Sequence, residues 1–441
     1  MVEFFRLADH NTNLRTEIVA GTTTFMTMAY ILALNPAILG VAGMPAGGVF
    51  TATALASAIA TIAMALLANL PVALAPGMGL NAFFAYAVVL GMGYPWQLAL
   101  AAVLIEGLLF IAMSLFDVRE RIIHSIPGNI KKAVTIGVGL FIAYIGLKNS
   151  GVIAFNTPSG VVDGQAVVYN VIPKPAAVTH GAPLLAILGL ILTMVLLVRK
   201  VRGALLIGIL ATTLLGLPLG ITVLGKDFRP FSLPTAPLLF QFDFRNMFSL
   251  DFLIVLFAFL FVDIFDTVGT LVGVASEAKL LDANGNIPRA KQALLSDAIG
   301  TVVGACLGTS TVTSYVESAA GVAEGGRTGL TALITGLLFL VALFFSPLFL
   351  VIPAAATAPA LVLVGFFMLS PAKDLDLSDP TEAIPAFLTM AMIPLSYSIA
   401  EGLVYGVLSY VILKVATGRA RQVSLLVWIV AALFLLKLVL R

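Results

Sequence analysis

Several acidic residues lie inside apolar stretches of the sequence, where a carboxylate is costly to place. Asp263 and Asp266 occur in DFLIVLFAFLFVDIFDTVGTLVGV, and their spacing of three puts them on roughly the same face of a helix. Glu317 lies in TSYVESAAG and Glu106 in VLIEGLLF. A charge at the centre of a bilayer costs about 2.5–3.5 kcal/mol on insertion scales, so acids at that depth indicate a functional site.

These carboxylates could bind a substrate, carry a proton, or only hold a neighbouring backbone group or helix end. We predict that Asp263 and Glu317 contact a substrate, and that Glu317, Asp266 and Asp263 are the candidates for proton coupling. The basic residue nearest to Glu317 in the sequence is Arg327, and a buried carboxylate without a cationic partner tends to hold a proton. Asp266 could instead orient the broken segments described below.

An amide and several aromatic rings complete the candidate site. Asn81 follows LAPGMGL at the start of a half-helix, where it could cap the helix or offer its amide to a ligand. The break before it exposes backbone N–H groups that suit an electronegative ligand atom. Phe83, Phe265 and Tyr315 lie close to these residues, and each could pack in the bundle or stack on a planar ligand.

The predicted site contains acids, an amide, hydroxyls and aromatic rings, without Lys or Arg, so it favours a neutral, planar ligand rich in N–H groups. Carboxylates accept paired hydrogen bonds from adjacent N–H donors. Guanine and hypoxanthine present N1–H there, whereas adenine presents a bare acceptor, so the residue types favour 6-oxopurines. The three histidines lack metal-ligand spacing, and we expect neither a metal nor a cofactor.

Composition places these residues in a membrane. The chain has 441 residues, 60% hydrophobic and 10% charged, with a mean hydropathy of +1.08, which is typical of an integral membrane protein. The N-terminal stretch MVEFFRLADHNTNLR lacks the apolar region of a signal peptide. A net charge of +2 gives no indication of nucleic-acid binding, and a single cysteine excludes an internal disulfide.

Apolar runs predict fourteen membrane segments. They cover residues 17–36, 49–69, 71–91, 95–116, 130–147, 183–199, 203–221, 250–273, 292–307, 309–322, 328–346, 348–369, 384–396 and 398–415. A further run at 424–440 could span the membrane or lie at its interface. Most of the 24 basic residues fall in loops on the side of the N-terminus, which predicts a cytoplasmic N-terminus.

Two pairs of segments indicate an internal repeat. The third and tenth segments, PVALAPGMGLNAFFAYAVVL and GTSTVTSYVESAAGV, are both interrupted, as the segments that form transporter binding sites often are. The fifth and twelfth segments share Ile-Pro, eleven residues, Gly, one residue and Phe, in IPGNIKKAVTIGVGLF and IPAAATAPALVLVGFF. Both pairs are seven segments apart, and an odd offset makes the halves inverted copies. The sequence therefore predicts an all-α, 7+7 inverted repeat.

Four motifs resemble one transporter family. AGTTTFMTMAYILALNP, LAPGMGLNAFFAY, FVDIFDTVGTLVGVA and GTSTVTSYVESAAGV closely resemble the AzgA-like branch of the nucleobase–cation symporter 2 family, the nucleobase/ascorbate transporters. Members of this branch are guanine/hypoxanthine and adenine permeases. The resemblance extends over nearly the whole chain. It implies fourteen segments in two inverted repeats and proton-coupled uptake of purine bases.

The resemblance also implies two domains that move against each other. The core domain would comprise segments 1–4 and 8–11, here residues 1–120 and 249–346. The gate domain would comprise segments 5–7 and 12–14, here residues 121–248 and 347–441 with the C-terminal apolar helix. A homodimer through the gate is implied as well. Localisation would be the bacterial inner membrane.

Residue by residue, Asn81, Asp263 and Glu317 match family positions important for purine recognition, and Asp266 matches a position needed for function. Tyr315 lies where the broken tenth segment lines the family's site. We expect the base to stack on Phe83 or Phe265.

Three alternatives stay open at this stage. An adenine permease, or a uracil or xanthine symporter, would have the same fold. An intramembrane aspartyl protease needs its acids on two facing helices, whereas Asp263 and Asp266 share one segment; we therefore expect no enzymatic activity. An ion channel would need a ring of like groups around an axis.

Overall fold

The computed structural model describes residues 3–115, 127–156, 159–162, 165–168, 172–225, 228–245, 247–281 and 287–440. Within these residues, nine helices are long and apolar enough to cross a membrane. The chain is thus a multi-pass membrane protein, as its composition predicts. The predicted domain boundary between residues 120 and 121 lies outside the described ranges.

Among the described residues, the first half of the chain has eight α-helices and five short strands. In order, they are α1 (Leu14–Met28), α2 (Ile31–Val41), α3 (Ala46–Ala63), β1 (Leu74–Pro76), α4 (Met78–Ala82), α5 (Trp96–Leu115), α6 (Gly128–Asn149), β2 (Ile153–Asn156), β3 (Ser159–Val162), β4 (Gln165–Val168), β5 (Ile172–Pro175), α7 (Gly181–Val198) and α8 (Ala204–Gly216). Helix α3 continues as a π-helical turn over Met64–Ala68, and α4 continues over Phe83–Gly91. Strand β2 pairs with β5 and β3 with β4 in the long loop before α7.

The second half repeats the alternation of long helices with one interrupted segment. Its elements are α9 (Leu250–Glu277), α10 (Ala290–Leu307), β6 (Val312–Ser314), α11 (Ser318–Ala323), α12 (Gly329–Ala342), α13 (Ser346–Leu350), α14 (Ala354–Phe367), α15 (Pro380–Ser396), α16 (Ile399–Ala416) and α17 (Leu425–Leu440). Short 3₁₀ turns cover Leu343–Phe345, Ser370–Asp374 and Ala420–Gln422. Every predicted segment overlaps a helix or a strand–helix unit, and the number of membrane crossings stays a prediction.

The interrupted third and tenth segments meet in the structure. Strand β1 pairs antiparallel with β6, with Ala75 opposite Thr313. The backbone pairing extends by one bond at each end, from Tyr315 N to Ala73 O at 3.0 Å and from Gly77 N to Thr311 O at 2.9 Å. Two short strands bonded to each other satisfy backbone groups that a broken helix would leave unpaired inside a membrane. Each strand then leads into a half-helix, α4 or α11.

The fifth and twelfth segments also meet, at the glycines of their shared pattern. A Cβ built on Gly139 of α6 would lie 2.7 Å from the carbonyl oxygen of Gly365. A Cβ on Gly365 of α14 would lie 2.4 Å from the carbonyl oxygen of Gly139. The backbones of the two helices therefore touch, and only residues without a side chain fit there. Corresponding segments of the two halves thus contact each other at two places, as segments next to the pseudo-two-fold axis of an inverted repeat can.

A buried carboxylate joins α1 to the start of α12. Glu17 is fully buried, and its Oε1 accepts a hydrogen bond from the backbone N–H of Arg327 at 3.0 Å. Its Oε2 accepts from the Thr328 hydroxyl at 2.9 Å, and from both the N–H and the hydroxyl of Thr331, at 3.1 and 2.6 Å. A helix N-terminus presents unbonded N–H groups and partial positive charge, so Glu17 serves as a cap supplied by another segment.

Candidate functional site

A cavity of about 260 Å³ lies where the two interrupted segments meet. Its walls come from both predicted domains. The predicted core contributes Tyr30, the Gly77–Gly79 turn, Asp266, Gly269, Thr270 and residues Thr313–Glu317. The predicted gate contributes Thr135 of α6, Val364 and Phe367 of α14, and Met368, Ser370 and Pro371 beyond the end of α14. Ser370 and Gly269 are exposed, so the cavity reaches the surface beside them.

Glu317 lines the cavity at the turn just before α11. The hydroxyl of Tyr30 donates a hydrogen bond of 2.5 Å to its Oε1. Tyr30 lies between the end of α1 and the start of α2, and its side chain is buried. The first segment makes a two-residue turn with helical backbone angles at Ala29 and Tyr30, and this turn brings a phenol to the carboxylate. The predicted segment 17–36 lies within one apolar span, Leu14–Val41, and only the local turn was not predicted.

Tyr315 also lines the cavity, and it holds the two interrupted segments together. Its hydroxyl donates to the carbonyl oxygen of Pro76 at 2.6 Å. Beyond Pro76 the chain passes through Gly77 into α4, whose first residues, Met78 and Gly79, line the cavity. The first N–H groups of a helix have no acceptor within it. The cavity wall thus contains backbone donors next to the tyrosine that fixes the strand before them.

The two aspartates of α9 have different surroundings. Asp266 lines the cavity, whereas Asp263 is fully buried away from it. Thr267 joins Asp263 to a carboxylate of α10, since its hydroxyl lies 3.1 Å from Asp263 Oδ1 and 2.9 Å from Asp297 Oδ1. The same hydroxyl lies 2.8 Å from that of Thr313, a residue of the cavity wall. Asp263 is therefore connected to the cavity through a threonine pair.

The remaining predicted residues lie behind the wall. Asn81 is buried in α4 and accepts a hydrogen bond from the Ser310 hydroxyl. Phe83 is buried and packs edge-on against Phe259, with ring centroids 4.9 Å apart. The backbone of Phe265 belongs to α9, while its side chain is outside the described part of the structure. Of the predicted set, the structure brings Glu317, Asp266 and Tyr315 to the cavity, and it places Asn81, Asp263 and Phe83 outside its lining.

Two polar residues of the wall, Tyr30 and Ser314, stand out among those that were not predicted as ligands. Nothing in the local sequence distinguishes Tyr30 from the other aromatic residues near the predicted site. Ser314 is 3% exposed, and its hydroxyl has no hydrogen-bond partner within the described part of the chain. A buried hydroxyl is normally bonded, so Ser314 is suited to a ligand. The signal for it was its place among the hydroxyl residues of the tenth segment.

The charge of the wall limits what it can bind. Glu317 and Asp266 are its two acidic residues, and none of its lining residues is Lys or Arg. Within the described residues, no cluster of three His, Cys, Asp or Glu side chains could hold a metal ion. The arrangement suits an uncharged ligand with N–H donors, and it opposes an anion.

A cavity lined by two discontinuous segments from the two halves of a repeat is typical of the binding site of a membrane transporter. The protein-family model Xan_ur_permease, described as Permease family, matches residues 15–405. The chain belongs to this family of nucleobase/ascorbate transporters, so it is a transporter and not an enzyme.

Individual relatives agree with this assignment. Adenine permease AdeP of Escherichia coli strain K12 is 45% identical over 436 residues, which cover 99% of this chain and 95% of AdeP. Guanine/hypoxanthine permease PbuG of Bacillus subtilis strain 168 is 44% identical over 447 residues, which cover 99% of each chain.

A solved structure supports the fold. The transmembrane domain of the cyanobacterial bicarbonate transporter BicA superposes with a TM-score of 0.65, at 19% identity, covering 90% of this chain and 97% of that domain. Likeness at this identity shows the fold alone. The predicted fold class, an all-α membrane protein built as an inverted repeat, is confirmed.

Proposed function

We propose that the protein is a proton-coupled purine nucleobase symporter that takes up guanine and hypoxanthine across the cytoplasmic membrane. Among its relatives, an adenine permease and a guanine/hypoxanthine permease are nearly equally similar, at 45% and 44% identity. The relatives therefore support a purine base as the substrate but do not indicate which purine. The preference for guanine and hypoxanthine rests on the residues that line the cavity. The observation that carries it is a wall with Glu317 and Asp266 and without a basic side chain.

Cavity size favours a single heterocycle. Its volume of about 260 Å³ is just below the range of typical small-molecule sites, roughly 300–1,000 Å³. A free base fits this scale better than a nucleoside or nucleotide, which adds a sugar or a sugar phosphate. A nucleotide would also bring negative charge beside Glu317 and Asp266, which Coulomb repulsion disfavours.

Recognition would use both edges of the base. Glu317 accepts the N1–H of a 6-oxopurine, together with the 2-amino group when the ligand is guanine. The N–H groups at the start of α4, at Met78 and Gly79, donate to the 6-oxo group, since a helix N-terminus favours an electronegative atom. Ser314 offers its hydroxyl to a ring nitrogen. Asn81 and Asp263, which were predicted to bind the base, do not line the cavity, and they would act on recognition through the groups that they hold in place.

Transport would follow from the position of the cavity between two sets of segments. One wall belongs to the predicted core, residues 1–120 and 249–346, and the other to the predicted gate, residues 121–248 and 347–441. Movement of the core against the gate would carry the base across the membrane. Binding of a proton by Glu317, Asp266 or Asp263 reduces the charge that must pass the apolar barrier, because an ionised carboxylate is costly in hydrocarbon.

The orientation and the assembly are part of the proposal. The distribution of basic residues supports a cytoplasmic N-terminus in a bacterial inner membrane. With that orientation, the cavity opens toward the cytoplasm, because α9 and α14 both run from the outer side to the exposed residues Gly269 and Ser370. A homodimer through the gate follows from the family resemblance, and mass measurement of the purified protein in detergent tests it.

Uptake into proteoliposomes tests the function. With an imposed proton gradient, radiolabelled hypoxanthine should accumulate, and excess guanine should block it more strongly than adenine or uracil. Glu317→Gln should abolish accumulation. Glu277→Gln, an exposed residue at the end of α9, is the matched control and should transport normally. Full accumulation by Glu317→Gln would remove that residue as ligand or carrier, and accumulation without a gradient would contradict proton coupling.

The alternative within this family is an adenine permease, which the similarity to AdeP favours. The same competition decides it. Stronger block by adenine than by guanine would reverse the preference that we derive from Glu317.

A further inference from the structure

We propose that Tyr30 is a positioning residue that fixes the carboxylate of Glu317, and that it thereby sets the preference for purines with an N1–H donor. The inference rests on the proposed function and adds to it a residue of the first segment. Its basis is the direct hydrogen bond from the Tyr30 hydroxyl to Glu317 Oε1, at 2.5 Å, on the wall of the cavity.

The phenol is held rigidly from two sides. Tyr30 is 1% exposed, so its ring cannot turn without displacing the core around it. Its carbonyl oxygen accepts the N–H groups of Ala33 and Leu34, both at 3.0 Å, which anchors its backbone to the first turn of α2. The hydroxyl therefore has a fixed position in the cavity wall. A flexible partner that bonds to it takes on that fixed position.

Glu317 is such a flexible partner. It precedes α11 in a turn, and a glutamate side chain has three torsions whose freedom is lost when it binds. The side-chain bond from Tyr30 removes much of this freedom before a ligand arrives. Pre-organisation of this kind increases affinity because less entropy is lost on binding.

The direction of the bond carries the selectivity. A phenol has one hydrogen to donate, and its bond to Oε1 favours the ionised form of Glu317, in which both oxygens are acceptors. The carboxylate then suits a ring N–H, whereas a ring nitrogen with a lone pair would face another acceptor. Tyr315, the other phenol of the wall, is committed to the Pro76 carbonyl oxygen at 2.6 Å. Tyr30 and Tyr315 thus have separate partners and separate roles.

Removal of the hydroxyl alone tests this role. Tyr30→Phe should weaken hypoxanthine binding to the purified full-length protein by about 3- to 10-fold, because Glu317 must then be ordered when the ligand binds. Binding of 1-methylhypoxanthine, which lacks the N1–H donor, should change by less than about twofold. The preference for hypoxanthine over 1-methylhypoxanthine should therefore fall by several-fold. Tyr405→Phe removes a hydroxyl from a half-exposed tyrosine of α16 and should leave both constants unchanged.

Two binding results would overturn the inference. If Tyr30→Phe weakened the binding of both ligands equally, the phenol would have a general packing role. If hypoxanthine binding were unchanged, the phenol would not act on the site.

A separate infrared experiment needs no ligand. The infrared carboxyl band of Glu317, assigned by its loss in Glu317→Gln, should shift in Tyr30→Phe and stay in place in Tyr405→Phe.

The infrared measurement separates this inference from the proposed function. If the native protein binds none of the purines, the proposed function fails, and the carboxyl band still decides whether Tyr30 holds Glu317. An unchanged band in Tyr30→Phe would refute the positioning role by itself.

Discussion

Replacement of Glu17 by Gln should destabilise the protein without touching its binding site. The carboxylate accepts four hydrogen bonds, one at Oε1 from Arg327 and three at Oε2 from Thr328 and Thr331. A glutamine amide has one oxygen and one NH₂ group, which donates only. The amide therefore takes the orientation that keeps the three bonds at the oxygen. Its NH₂ group then faces the N–H of Arg327, donor against donor.

The cost can be worked from these contacts. One hydrogen bond to a charged acceptor is lost, worth about 1.5–3 kcal/mol, and three others fall to the strength of neutral bonds, about 0.5–1.5 kcal/mol each. The favourable charge at the N-terminus of α12 is lost as well, typically 0.3–1 kcal/mol or up to about 2 kcal/mol when partly buried. The total is on the order of 5–9 kcal/mol. Glu17→Ala should cost more, because all four donors would stay buried and unbonded.

The effect can be measured by heating the purified protein in detergent to a series of temperatures and finding, by gel filtration, the fraction that stays monodisperse. The temperature at which half of the protein is lost is the thermal midpoint. We expect the midpoint for Glu17→Gln to fall by roughly 5–15 °C, because the shift per kcal/mol decreases with chain length, from about 2–4 °C at roughly 150–250 residues to about 1–2 °C at the length of this chain. Glu3→Gln, an exposed residue before α1, is the control and should stay within about 1 °C of the native protein. Hypoxanthine affinity of the remaining folded protein should be unchanged, because Glu17 does not line the cavity. A midpoint for Glu17→Gln equal to that of Glu3→Gln would refute the account of the cap.

Two further predictions concern the gate segments. Gly365→Ala puts a methyl group 2.4 Å from the Gly139 carbonyl oxygen, so it should lower the thermal midpoint through overpacking, at a cost of about 1–3 kcal/mol. Gly40→Ala is the control: its methyl group meets nothing within 4 Å, and the midpoint should stay equal or rise. Equal effects of the two substitutions would contradict the close contact between α6 and α14. Hydrogen bonds from the N–H and hydroxyl of Thr381 lower the pKa of Asp379 below 3.8, so this group stabilises the fold above that pH and loses its effect as the pH falls further. Asp379→Asn should therefore be less stable than the native protein at pH 7, and the difference should shrink as the pH falls below 3.8. A difference that stayed constant over that range would contradict this origin.

Apolar runs and broken segments were enough to predict the architecture. The membrane supplies the reason: backbone groups must be bonded within helices there, so helices are long and apolar, and exceptions mark the site. The shared pattern of the fifth and twelfth segments was a reliable sign of the repeat because Gly139 and Gly365 must both be small for the helices to touch.

The site itself was predicted in part, and helical geometry explains the limit. A spacing of three leaves Asp263 and Asp266 about 60° apart around α9, since each residue turns about 100°. That angle is enough for Asp266 to face the cavity while Asp263 faces Thr267 and α10. Which of the two faces the cavity depends on the rotation of α9 against its neighbours, which the sequence does not encode locally. The same holds for Asn81, three residues into a helix whose first turn lines the cavity.

The pairing of β1 with β6 has a consequence for biosynthesis. The hydroxyl of Tyr315 bonds to a carbonyl 239 positions earlier in the chain, and ribosomes add about 5–20 residues per second. Strand β1 is therefore made roughly 10–50 s before β6. During that time its backbone groups lack the hydrogen bonds that β6 later provides. The nascent N-terminal half needs either water or another protein, such as an insertion factor, beside this strand during that interval. Assembly of the binding cavity is accordingly a late step, completed only after most of the protein has been translated.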